Sequence, residues 1–250
     1  MSNAPKIRVG IGGWVYPPWR GVFYPPGLPQ ARELSYASSR LTTIEINGTF
    51  YGAQKPASFR RWHDETPEDF VFSLKGPRFA THRPDLASAG PTVDRFLSSG
   101  VLELRSKLGP ILWQFPPNTP ADEDAFAAFL ELLPHSIDGR ALRHAVELRR
   151  SKAATNLFVD LLRRYRVALV ADDSNPDVEG TADFAYTHLR GCTLEEATGY
   201  PSEALDAWTQ RLRERSSRAE CDCFVYFISG AKIRAPAAAQ ALLQRLVAAV

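Results

Sequence analysis

The chain has 250 residues, 44% of them hydrophobic and 23% charged, with a formal net charge of +2. That is a globular composition, too apolar for disorder and too weakly basic for charge alone to imply a nucleic-acid partner. No apolar run approaches the roughly 18–20 residues of a membrane span, and three cysteines, an odd number, argue against a secreted disulfide scaffold.

Met1 to Lys6 is short and polar, without an apolar signal region, so a cytoplasmic protein is expected. The first β-rich run, Arg8–Ile11, leads into a long aromatic and proline-rich loop from Trp14 to Pro29. A helix over Gln30–Ser39 follows, then a strand at Thr43–Ile46 and a helix at Pro56–His63. The strand Phe70–Leu74 precedes a helix over Thr92–Lys107, and Ile111–Phe115 precedes one over Asp122–Leu132. Next come the strand Ala145–Leu148, a helix over Ala153–Tyr165 and the strand Val167–Ala171. Asp172 to Ala182 is too short and too rich in Asp, Asn, Pro and Gly for a normal helix, which is expected to be reduced or missing. The strand Phe184–Leu189, a helix over Ser202–Arg215, the strand Phe224–Ile228 and a helix over Ala237–Ala249 complete the chain. Eight strands alternating with helical segments predict an α/β fold, a closed parallel (β/α)8 barrel, for which about 250 residues is the usual size. No Pro-, Gly- or Ser-rich linker divides the chain, so residues 1–250 read as a single TIM-like barrel domain.

In such a barrel the chemistry lies at the C-terminal ends of the strands. Strand side chains alternate between faces. If the isoleucines of the second strand pack under helices, Thr43, Glu45 and Asn47 point into the barrel. The same rule turns Ser73, Lys75, Gln114, Glu147, Arg149, Asp172, His188 and Arg190 inward. The last strand is apolar on both faces and gives no direction. A barrel built for stability alone would fill these places with branched apolar residues. Polar side chains from six strands therefore indicate a small-molecule site at the C-terminal face. The competing reading is a closed network in which Lys75, Arg149 and Arg190 neutralise Glu45, Glu147 and Asp172. Aromatic residues of the loops, Trp14, Tyr16, Trp19, Phe50 and Tyr51, are placed to wall the mouth or to pack on one another.

Glu45 and Glu147 suggest a hydrolase with paired carboxylates as general acid and base, which in a glycosidase stand about 5–10 Å apart. Lys75 and Arg149 would tune them or hold an anionic group. Lys75 also fits Schiff-base chemistry, but pairing with Glu45 on the neighbouring strand is the preferred reading. The catalytic candidates are thus Glu45, Glu147, Lys75 and Asp172, and the ligand-binding candidates Trp14, Tyr16, Asn47, Tyr51, His82, Gln114, Arg149, His188 and Arg190. A metal-dependent hydrolase or isomerase is the alternative, with Glu45, Glu147, Asp172, His82 and His188 as donors, although HxH and HExxH are absent and no metal site is assigned. Cys192 and the Cys221/Cys223 pair fall at opposite ends of the barrel, which argues against a shared zinc site. A non-catalytic protein binding a ligand or single-stranded nucleic acid is the third class. The many arginines on outer helices weigh against nucleic acid, and neither a membrane nor a particular cofactor is implied. The sequence contains no P-loop, GxGxxG or GxSxG motif.

The motif Gly13-Trp14-x-Tyr16-x-x-Trp19-x-Gly21-x-Phe23-Tyr24-Pro25 resembles the YecE-like family. The likeness continues at Thr43-x-Glu45-Ile46-Asn47-x-Thr49-Phe50-Tyr51, Phe70-x-Phe72-x-x-Lys75, Thr81-His82 and Lys107-Leu108-Gly109-Pro110. It recurs at Gln114-Phe115-Pro116-Pro117, Glu147-x-Arg149, Ala171-Asp172, Tyr226-Phe227 and Ala235-Pro236. The resemblance implies a TIM-barrel fold and carries no established activity. It also marks departures. The family's Arg-Leu-His-Gly is His188-Leu189-Arg190-Gly191 here, its His after Glu147-x-Arg149 is Arg150, and its Asp or Asn pair after the last strand is Ile228-Ser229.

Overall fold

A computed structural model describes residues 6–119, 122–149 and 157–248. Eight strands form a closed parallel barrel: β1 (Ile7–Gly12), β2 (Thr43–Ile46), β3 (Val71–Lys75), β4 (Leu108–Phe115), β5 (His144–Leu148), β6 (Ala168–Asp172), β7 (Phe184–Leu189) and β8 (Asp222–Phe227). Each pairs with its neighbours in sequence, and β8 closes the ring on β1 with Ile7 opposite Cys223 and Ile11 opposite Phe227. An antiparallel ribbon of Ser136–Ile137 and Arg140–Ala141 precedes β5.

Alternation along the strands divides the interior in two. Val9, Ile11, Ile44, Ile46, Phe72, Leu74, Trp113, Phe115 and Val146 belong to one continuous core under the helices. Leu112, Ala145, Ala168, Val170, Phe184, Tyr186, Phe224 and Tyr226 form a separate cluster that fills the lumen. The last strand is thereby resolved: Cys223, Val225 and Phe227 join the outer core, and Phe224 and Tyr226 turn inward. On β1 the inward positions include Gly10, where a Cβ would lie 1.8 Å from the Thr43 carbonyl oxygen. Only glycine allows that approach of β1 to β2.

The helices in chain order are α1 (Glu33–Ser38), α2 (Gly48–Tyr51), α3 (Pro56–Asp64), α4 (Arg78–Thr81), α5 (Gly90–Leu97), α6 (Glu123–Glu131), α7 (Val159–Arg164), α8 (Ser202–Ala219) and α9 (Ala235–Val247). The expected helix over Thr92–Lys107 is in fact two pieces. α5 stops at Leu97, and a 3-10 stretch runs over Val101–Lys107. Gly100 lies between them at φ 104, with its Cα side pressed so closely on Pro56 that a Cβ would come within 2.8 Å. The buried Lys107 then donates to the carbonyls of His63 and Thr66, fastening this stretch to the end of α3. The expected helix start at Ala153 lies outside the described residues.

No helix follows β6 among the described residues, as expected from its composition. Asp172 Oδ1 instead accepts from the backbone N–H groups of Ser174 and Asn175, each at 2.9 Å. Thr181 stitches the same loop to β6 by donating to Val167 O and accepting from Leu169 N. Two short helices that the sequence did not announce, α2 and α4, cap the ends of β2 and β3. They carry Phe50, Tyr51 and, at the end of α4, His82 to the C-terminal face. Among the described residues no helix is long and apolar enough to cross a membrane.

Candidate functional site

Inward alternation on β2, β4, β5 and β7 gathers Glu45, Gln114, Glu147 and His188 into one buried polar layer. Glu45 is fully buried, and its Oε2 accepts from the Tyr186 hydroxyl at 2.6 Å and from His188 Nε2 at 2.7 Å. Its Oε1 has no hydrogen-bond partner. Burial opposes ionisation of Glu45. The adjoining His188, the charge of Lys75 and the Tyr186 hydroxyl outweigh that effect and hold the carboxyl at about 2. On the other side of the imidazole, His188 Nδ1 lies 3.5 Å from Glu147 Oε2 and accepts from Arg190 at 3.2 Å. Gln114, opposite Glu147 on the neighbouring strand, donates to Oε2 at 2.5 Å, and Arg190 pairs with Oε1. Asp173 accepts from the backbone N–H groups of Arg190 and Gly191, which fixes the end of β7.

The two carboxylates are therefore linked through the His188 imidazole and the Arg190 guanidinium, and His188 stands between them. Below them Tyr226 bonds to Thr43 at 2.8 Å and to Ser73 at 2.5 Å, a second polar layer in the lumen.

Lys75 and Arg149 stand outside this network. The expected contact pair between Lys75 and Glu45 does not form: His188 and Tyr186 both bond to Oε2, and Oε1 keeps no partner. Among the described residues the Lys75 ammonium has no hydrogen bond or ion pair, and it lies 5.0 Å from the centre of the Phe50 ring. Burial lowers its pKa against the pull of Glu45. Arg149 is exposed and likewise has no partner among the described residues.

Asp172 does not join the cluster. Its Oδ1 is committed to the turn after β6, where it also accepts from the Ser174 hydroxyl at 2.6 Å. The expected balance of three acids by three bases is thus replaced by two carboxylates held by His188, Arg190, Tyr186 and Gln114. Asn47 lies beside the cluster, its amide over Gly12. His82 is exposed, with its ring 5.5 Å from Phe50 and Nδ1 at 3.0 Å from the Thr81 hydroxyl. Burial, first, and then Arg78 lower its pKa.

The aromatic loop is mostly a small core of its own. Trp19 is fully buried and donates to Lys232 O at 2.9 Å, and the Tyr24 hydroxyl donates to Trp14 O at 2.6 Å. Trp14 packs edge-on against Trp62 at 5.2 Å, and Tyr16 against Trp19 at 5.2 Å. Tyr51 stands clear of this packing, 69% exposed at the rim.

Two contributors to the layers were not among the sequence candidates. Tyr186 shares the inward face of β7 with His188, so the rule that turned His188 inward contained it. Tyr226 lies on the strand whose two faces read alike, so alternation did not single it out, and only the resemblance at Tyr226-Phe227 marked its position.

Comparison with known proteins places this barrel. Residues 8–250 match the family model "Protein of unknown function DUF72". The chain belongs to this family. Its relatives include the UPF0759 protein YecE of Escherichia coli K12, 29% identical over 140 residues, which are 55% of this chain and 48% of YecE. The UPF0759 protein YunF of Bacillus subtilis is 32% identical over 116 residues, covering 44% of this chain and 40% of YunF. The matches thus span about half the length of these curated relatives or less. A DUF72 crystal structure from Thermotoga maritima superposes with a TM-score of 0.72 at 22% identity, over 95% of this chain and 97% of that one. At that identity the likeness concerns the DUF72 fold.

Proposed function

We propose that the C-terminal face of the barrel binds a small organic anion, with Lys75 and Arg149 as its charge partners. One observation carries this reading. Both carboxylates of the layer already have partners, Glu45 in Tyr186 and His188 and Glu147 in Gln114 and Arg190, yet Lys75 and Arg149 remain without a partner among the described residues. Taking an ammonium out of water with no counter-ion is costly, and an incoming anion removes that cost. The Glu45–His188–Arg190–Glu147 network forms the floor and sets the position of Arg190. The site belongs to a cytoplasmic protein whose three cysteines are free thiols.

The test is a thermal-shift screen of organic acids, sugar phosphates and nucleotides, each with and without Mg²⁺, Mn²⁺ or Zn²⁺. A ligand that binds the native state raises the melting temperature by mass action. An anionic hit is expected to lose its shift in Lys75→Met. No anionic hit, or a hit indifferent to Lys75→Met and to Arg149→Ala, overturns the reading.

A hydrolase is the second reading, in altered form, and the 2.7 Å contact between His188 and Glu45 favours it. With the imidazole between the carboxylates, His188 is the proton carrier, oriented by Glu45 and by Arg190, which Glu147 holds. For any compound that is turned over, His188→Gln is expected to reduce the rate about 10²–10⁴-fold. Undiminished turnover in Glu147→Gln and His188→Gln removes this reading.

A further inference from the structure

Beside the mouth, between the end of β1, the end of β2 and α3, lies a cavity of about 270 Å³. Its polar lining groups, and one donor buried behind the lining, lack partners. Trp62 is 6% exposed, and its Nε1–H finds no acceptor. The ring is held edge-on by Phe59 and by Trp14, each at 5.2 Å, so packing opposes its turning toward another partner. An indole N–H can only donate, and leaving such a donor buried and unmet carries its full desolvation penalty. Lys232 lines the same space. Its ammonium lies 4.9 Å from the centre of the Tyr16 ring and 5.6 Å from that of Trp19, with no carboxylate partner among the described residues. The side-chain amides of Asn47 and Gln54 complete the lining and also have no hydrogen bond among the described residues. Trp14 and Ile46 supply an apolar wall.

The geometry points to a second binding site, for the carboxylate of a small aromatic or aliphatic acid. The carboxylate accepts from the side-chain amides of Asn47 and Gln54, Lys232 supplies the opposite charge, and the apolar body lies against Trp14, with Trp62 lining the space and its N–H buried behind the lining. One cation among donors suits a monoanion better than a phosphate dianion. The lining includes neither Lys75 nor Arg149, so this site stands or falls separately from the barrel mouth.

The test follows the five indole N–H resonances of the ¹⁵N-labelled full chain, one for each tryptophan. The Trp62 signal is identified by its loss in Trp62→Phe, which keeps the ring and removes the donor. Benzoate, bound against the ring of Trp62, is expected to shift that signal in a saturable way. Benzamide, its neutral counterpart, and inorganic phosphate are each expected to bind at least 10-fold more weakly. Lys232→Met should weaken benzoate at least 10-fold, whereas Lys75→Met leaves the Trp62 response in place. Acetate binding as well as benzoate overturns the role of the Trp14 wall. Benzamide or phosphate matching benzoate overturns the carboxylate assignment. A Trp62 signal unmoved by benzoate, or unaffected by Lys232→Met, overturns the site.

Discussion

The two ends of the barrel treat charge in opposite ways. At the N-terminal end, partners are supplied from within the chain. Arg143 pairs with Asp222 at 2.9 Å, the Lys6 backbone N–H donates to the same carboxylate, and Arg8 donates to the Asp69 carbonyl at 2.7 Å. His144 is buried there with both ring nitrogens satisfied, accepting from Trp113 Nε1 at Nδ1 and donating from Nε2 to Pro134 O. At the C-terminal end, Lys75, Arg149 and Lys232 have no such partner among the described residues, and Glu45 and Trp62 each keep an unmet polar atom. Groups that serve folding find their partners inside the fold. The cations left unpaired are the ones the proposed ligand sites would use.

The contrast can be broken most forcefully at Glu45. Glu45→Ala leaves His188 and Tyr186 without their shared acceptor, and an expected loss of about 3–5 kcal/mol should appear in the urea midpoint. A loss below about 1 kcal/mol would mean that the polar layer is not held together as described.

The next effect is one of pH. Burial holds His144 down at about 4, against an ordinary 6.5, because its neutral form alone suits both partners. The unfolded imidazole takes up a proton near 6.5 and the folded one resists until about 4. Stability is therefore complete above pH 6.5 and falls as pH drops toward 4, by on the order of 3 kcal/mol. His144→Gln keeps a donor and an acceptor and should flatten that slope. Glu45 acts in a lower window. Its contribution is present above its ordinary 4.5 and is lost as pH falls through about 2, so a second loss should follow the first.

Smaller changes sharpen the comparison. Asp222→Ala at the N-terminal end removes a partly exposed pair and should cost about 1 kcal/mol. Lys75→Met at the C-terminal end should leave stability unchanged or raise it by up to about 1 kcal/mol, because no partner is lost and the cost of a half-buried ammonium is removed. If Lys75→Met proved the more costly of the two, the assignment of charges at the two ends would be reversed.

The parts of the structure legible in the sequence are those governed by period. The strand pattern gave eight strands in ring order, and alternation brought Glu45, Gln114, Glu147, His188 and Arg190 together. Period failed where both faces looked alike, at Phe224 and Tyr226, and where local chemistry prevailed. Asp172 has inward parity, but Ser174 and Asn175 offer their N–H groups two and three residues on, and the carboxylate closes a turn. The break at Gly100 depends on Pro56, over forty residues earlier, and cannot be seen from the helix alone. Alternation turns His188 and Lys75 inward alike and does not decide which of them bonds to Glu45.

The missing helix after β6 has a mechanical side. A closed barrel is a ring of hydrogen bonds, and a ring opens first where it is thinnest. The β5–β6 ladder holds two residue pairs, Ala145 with Ala168 and Val146 with Leu169, against six between β7 and β8. Next to that thin ladder, a loop closed by a turn replaces the usual buttress. Amide exchange should therefore reach β6 before any other strand. A fusion partner inserted after Asn175 would load the molecule beside its shortest ladder.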